Sequence, residues 1–172
     1  MQYLKDAEMK DAFDYIYDNG LTDKVQKAVD NGKLQLFATD VQQQEIEKIS
    51  DDIKKQRIKQ TAEEIRVRFI ETSGAVVGPD QPPKRGFSGS RVDHAEIPSD
   101  QDVRLLEDLK QVNMQHPLKN EGDLIILYTA IKKNMDYLVT EDKRFNKSLQ
   151  SFKVKRDTEM QIMDNEGFKG LL

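Results

Sequence analysis

The chain contains no cysteine, which excludes disulfide staples and thiolate zinc sites. No apolar run is long enough to cross a bilayer, and Met1-Gln2-Tyr3-Leu4-Lys5-Asp6 lacks the apolar centre of a secretory leader. These absences set the expectation of a cytoplasmic protein with no membrane partner. There is no Gly-x-x-x-x-Gly-Lys phosphate loop and no dinucleotide fingerprint, so nucleotide-driven switching is not expected. The two histidines, His94 and His116, show no spacing that pairs them with an acid, and both read as ordinary polar residues. No internal repeat is visible.

What is present is a charged exterior around enough apolar material for one core. Of 172 residues, 37% are hydrophobic and 34% charged, the profile of one soluble domain. The formal charge of −4 argues against indiscriminate coating of nucleic acid. It allows an enzyme whose acids gather in one cleft with basic residues at the rim.

The patterning alternates strands with helices. Tyr3 and Leu4 read as a first strand that stops at Asp6. Met9, Ala12, Phe13 and Ile16 follow at helical spacing, and Asn19-Gly20 ends that helix. A second helix opens at Thr22, carries Val25, Ala28 and Val29, and stops at Asn31-Gly32. Leu34 to Ala38 reads as a strand, Thr39-Asp40 as a cap, and Val41 to Ile49 as a helix. A longer helix is predicted from about Asp51 to Ile70. Thr72 to Pro98, rich in glycine, proline and serine, reads as a lid or insertion at about 72–98 within a single domain. A helix opens near Ser99, and another runs from Asp123 to about Asn134. Tyr137 to Thr140 is a buried strand, and Phe152-Lys153-Val154 is expected to be the last. Such alternation implies a parallel sheet covered by helices.

In an open parallel sheet, ligands bind beyond the carboxyl ends of the strands. Asp6 follows the first predicted strand, and Glu45 lies early in the helix after the second. Asp123 opens an apolar helix, and Asp142 lies two residues beyond Thr140. Taken singly, each acid reads as a cap or a solvated charge. Together they form a constellation of like charges that repel unless a cation is present. Magnesium or manganese prefers carboxylate oxygen and leaves coordination positions for phosphate.

Tyr3-Leu4-Lys5-Asp6, Thr39 to Glu45, Glu121-Gly122-Asp123 with its apolar helix, and Leu138-Val139-Thr140-Glu141-Asp142 resemble, in that order, the elements of PIN-domain nucleases. The resemblance spans about Met1 to Phe152. It implies a three-layer α/β/α sandwich with a central, mainly parallel sheet, and metal-dependent endonucleolytic hydrolysis of RNA, or less often DNA, leaving a 5′-phosphate and a 3′-hydroxyl. By carry-over, Asp6, Glu45, Asp123 and Asp142 would be the catalytic acids holding Mg2+ or Mn2+, with Thr140 supporting them. Toxin–antitoxin members of that family imply an antitoxin partner, and a homodimer is common among them. Three positions depart from the pattern: Glu8 stands where Asn is usual, Lys5 where an apolar residue is usual, and Arg144 where a further acid often stands. The 72–98 insertion has no firm counterpart in the compact toxins.

From Lys143 to Arg156 there is no acid and six basic residues. Lys143, Arg144 and Lys147 directly follow Asp142 and are candidate contacts for an RNA backbone; the alternative is a solvated edge. Two readings follow: a metal-dependent ribonuclease, with a toxin of a toxin–antitoxin pair as one form of it, and a PIN-like binding or regulatory module without turnover.

Overall fold

In the computed structural model, residues 5–10, 12–72 and 99–172 are described. The elements run β1 (Lys5–Met9), α1 (Phe13–Asp18), α2 (Thr22–Asp30), β2 (Leu34–Thr39), α3 (Asp40–Glu47), α4 (Asp52–Glu64), β3 (Arg68–Ile70), α5 (Asp100–Gln115), α6 (Glu121–Lys132), β4 (Tyr137–Val139), α7 (Lys143–Lys155), β5 (Gln161–Met163) and α8 (Asn165–Lys169). The five strands form one sheet in the order β3-β2-β1-β4-β5, and every pairing is parallel. The registers put Glu8 level with Phe37 on β2 and with Leu138 on β4. Each parallel step needs a crossover, and the helices that make the crossovers cover the two faces.

Alternation along the strands sorts residues between those faces. Ala7, Met9, Leu34, Leu36, Ala38 and Val139 pack with α1, α2 and α4 through Ile16, Val25, Ile58 and Ile65. On the other side Phe37, Leu138 and Ile162 pack with α5, α6 and α7 through Leu109, Leu127, Phe145 and Phe152. Glu8 lies between Ala7 and Met9 and therefore faces this second layer. It is fully buried and, among the described residues, is the one buried strand residue that bears an ionisable side chain.

The expected α/β/α sandwich with a parallel sheet is the observed architecture. Gly20 and Gly32 take positive φ values of 62° and 70° just beyond α1 and α2, the left-handed geometry that the Asn-Gly pairs anticipate. Four boundaries differ. The first strand runs past Asp6 to Met9, so Met9 is a core strand residue rather than the start of a helix. The helix expected to reach Ile70 stops at Glu64. Arg66 adopts φ 60°, and Arg68–Ile70 then pairs with β2. Phe152-Lys153-Val154 is helical, not a strand. Phe145, Leu149 and Phe152 are buried on one face of α7, and Val154 is 88% exposed. The last strand is Gln161–Met163, a three-residue element too short for alternation to announce. The proposed 72–98 lid lies outside the described residues apart from Thr72, whose backbone N–H and hydroxyl both donate to Asp40 Oδ1, at 3.2 and 2.9 Å. Among the described residues no helix is long and apolar enough to cross a membrane.

Candidate active site

The carboxyl ends of β1, β2 and β4 open onto the N-termini of α3, α6 and α7. Three of the four predicted acids lie in this region. Asp123 enters from α6, where Asn120 caps the helix by accepting the Asp123 N–H at 2.9 Å. The first-turn position favours a carboxylate through the helix dipole. The residue is only 3% exposed, and its Oδ2 is buried with no hydrogen-bond partner.

Asp142 arrives from β4 through Thr140. The Thr140 hydroxyl accepts the Asp142 N–H at 3.1 Å, which turns the chain out of the strand. Asp142 then caps α7 by accepting the Arg144 N–H at 2.9 Å. The Arg144 guanidinium donates to both carboxylate oxygens, Nε to Oδ1 at 2.9 Å and Nη2 to Oδ2 at 2.7 Å. The Asp142 acidity is accordingly strengthened. The Arg144 side-chain bond is the main cause; burial opposes it, and the backbone bond and the charges of Arg144 and Lys10 add to it.

Glu45 reaches the same region from α3 because Gly122 lets α3 and α6 approach. A Cβ on Gly122 would stand 3.1 Å from Val41 Cγ1, 3.1 Å from Asn120 Oδ1 and 3.9 Å from Glu45 Oε1. The Glu45 carboxylate thus lies beside the residue preceding Asp123, on the exposed rim.

Asp6 is not brought to this group, which corrects its assignment. It lies at the opposite, N-terminal end of β1. Its N–H donates to Asp136 Oδ2 at 2.8 Å, and its carbonyl accepts the Asp136 N–H at 2.9 Å. Its carboxyl is shifted up by burial and by the Asp136 charge, with Arg68 pulling the other way. The strand rises about 3.3 Å per residue, so the two further residues of β1 carry Glu8, not Asp6, toward the cleft.

Glu8 and Lys10 are the residues that sequence reasoning missed. Glu8 is completely buried; its Oε1 accepts from the Gln42 side-chain amide on α3, and Oε2 has no partner. Burial pushes its carboxyl up to about 8, against the bonds from Gln42 and the Thr39 backbone, so at neutral pH the proton is largely held. Lys10 follows β1 directly. Its Nζ lies 3.4 Å from Asp123 Oδ1 and 5.1 Å from the centroid of the Phe145 ring, with the side chain 12% exposed. Its charge also reaches Asp142. The available signal was the apolar pair Ala7 and Met9, which puts Glu8 on the opposite face of the same strand.

Lys143, Arg144 and Lys147 are exposed at the start of α7. The later basic residues of that stretch turn elsewhere: Lys155 Nζ donates to Gln111 at 2.9 Å, and the Arg156 guanidinium pairs with Asp108 on α5.

The fold is a three-layer α/β/α sandwich around one parallel sheet, with acids at the carboxyl edge. Among solved structures the chain is similar to VapBC2 from Rickettsia felis, determined bound to a DNA fragment from its promoter, with a TM-score of 0.54, 14% sequence identity, and coverage of 92% of this chain and 98% of that one. No protein-family model and no curated protein matches the chain.

The donors suit a hard divalent ion in kind. They are carboxylates, and the buried, unpartnered Asp123 Oδ2 is an acceptor with nothing to accept from. As the side chains lie, no group of three or more acids or histidines among the described residues is close enough to hold an ion. Lys10 and Arg144 instead neutralise the two acids.

Proposed function

We propose that the chain is a metal-dependent endoribonuclease that hydrolyses RNA phosphodiester bonds at the carboxyl edge of the sheet. The observation that carries this reading is Asp123: a carboxylate 3% exposed, with one oxygen orphaned, at a helix N-terminus beside Asp142 and Glu45. A structural cap does not need a buried free acceptor, whose desolvation goes uncompensated. Asp123 and Asp142 would hold Mg2+ or Mn2+, with Glu45 contributing from the rim and Glu8 standing where the sequence pattern puts Asp6. Such an ion, when bound, activates water and stabilises the departing oxygen.

The protein's own groups have separate roles. The Thr140 hydroxyl fixes the backbone that aims Asp142. Glu8, buried and held by Gln42, ties β1 to the helix that carries Glu45. Lys143 and Lys147, one helical turn apart and exposed, attract the phosphates of a strand lying across α7. The family resemblance supports a toxin role in the cytoplasm with an antitoxin partner and a homodimer, and the likeness to VapBC2 supports the fold on which that reading rests.

The test is incubation of purified protein with single-stranded RNA and Mn2+, beside Asp123→Asn. Loss of cleavage in the variant is the expected result; cleavage that persists unchanged refutes the site. The second reading, a module without turnover, is favoured by Lys10 and Arg144 occupying the acids. It predicts RNA binding with no cleavage at any Mn2+ concentration.

A further inference from the structure

Resting on the proposed site, we propose that Lys10 is a built-in counter-cation that holds the acid cluster in its metal-free form and has to withdraw before a divalent ion can bind. Three observations converge. Lys10 Nζ is 3.4 Å from Asp123 Oδ1, its charge acts on Asp142, and the Phe145 ring lies beneath it at 5.1 Å. Its backbone has little freedom, because the preceding Met9 is paired with Val139 in the sheet. The ammonium is therefore delivered to the cluster by the strand itself.

Beside these stands the unpartnered Asp123 Oδ2. Lys10 satisfies one oxygen of this carboxylate and leaves the other open, so the carboxylate is charge-balanced but not fully bonded. A divalent ion taken up by Asp123 and Asp142 would meet an ammonium a few ångströms away, and like charges at that range in a partly buried site repel strongly. A lysine's charge rides on a flexible four-carbon stem, so the ammonium can shift without giving up a fixed fork geometry such as a guanidinium makes. Lys10 thus makes ion uptake an exchange of one cation for another, weakening divalent affinity while stabilising the empty fold. Arg144 is the contrasting case. Its guanidinium grips Asp142 through both oxygens and lies on the exposed side.

The experiment measures Mn2+ binding by the paramagnetic resonance of free Mn2+ in the wild type and in Lys10→Asn and Lys10→Met, with melting temperatures in chelator and in Mn2+. Removing the ammonium is expected to tighten Mn2+ binding about tenfold or more, the factor that 1.4 kcal/mol represents. Both variants are expected to melt below the wild type in chelator and to gain more from Mn2+ than it does. Lys10→Met keeps the stem and its packing on Phe145, so a fold damaged only by poorer packing would show in Lys10→Asn alone. Equal or weaker Mn2+ binding in both variants overturns the proposal, as does undetectable binding in all three proteins. Unchanged affinity with RNA still cut would leave the ribonuclease reading standing without it. Tighter Mn2+ binding with no RNA cut by any variant would sink the ribonuclease reading and keep the counter-cation.

Discussion

The side-chain amide of Gln42 on α3 donates to Glu8 Oε1 on β1, with both residues buried. This pair joins the sheet to the helix that carries Glu45, and the burial of Glu8 makes stability depend on pH in an unusual direction. Glu8 has its carboxyl raised from 4.5 to about 8 by burial. Between these values the folded chain holds a proton that the unfolded chain releases, so this contribution falls as pH rises through the interval and levels off above about 8. Urea midpoints measured in chelator from pH 4.5 to 8.5 are expected to show this decline in the wild type relative to Glu8→Gln. Parallel profiles for the two proteins would refute it.

Asp142 has the opposite sign. Its acidity is strengthened chiefly by the Arg144 bond, so its stabilisation is present above the ordinary value of 3.8 and is lost as pH falls through the lower folded value. Asp142→Ala is expected to cost about 1 kcal/mol through the lost helix cap. The Arg144 pair itself adds little, because that side chain is 48% exposed. Thermal melts at pH 7 and at pH 2.5 check this: the difference between wild type and variant should shrink at the acid end.

Gly122→Ala tests the close approach of α3 and α6. The new methyl would sit 3.1 Å from Val41 Cγ1, and overpacking of this kind costs about 1–3 kcal/mol. Alanine's helix propensity returns up to about 1 kcal/mol. The informative quantity is therefore the coupling to Val41→Ala, which should relieve the clash. Additive effects in the double-mutant cycle would show that the two helices do not press on each other there.

α7 is checked by two nearby substitutions. Phe152 is 1% exposed, and Phe152→Ala is expected to cost about 3–5 kcal/mol. Val154 is 88% exposed, and Val154→Lys should change stability by less than about 0.5 kcal/mol. Similar destabilisation at both positions would favour a strand with two buried faces over the observed helix.

Lys143→Ala and Lys147→Ala should each weaken single-stranded RNA binding and reduce its salt dependence, by roughly 0.7 in the log–log slope for each phosphate that is no longer neutralised. Fluorescence anisotropy over a salt series, with the chain held metal-free, reads this directly. Slopes equal to the wild type would place the RNA path away from α7.

The alternation of apolar helices with short apolar strands was enough to read a parallel sheet covered on both faces, because each buried face imposes its own period on local sequence. The same local information put Asp123 in the first turn of α6 and Asp142 at the cap of α7, where the structure has them, and Glu45 within α3. It did not reveal where β1 ends, since Lys5, Asp6 and Glu8 break the apolar pattern of a strand, and only pairing with β2 and β4 carries the chain through to Met9. From that register follow the exclusion of Asp6 from the cleft, the burial of Glu8 and the delivery of Lys10 to Asp123. Which acid enters the cleft and which cation meets it were decided by strand pairing with β2 and with the far more distant β4, an interaction that leaves no periodic trace in the chain itself.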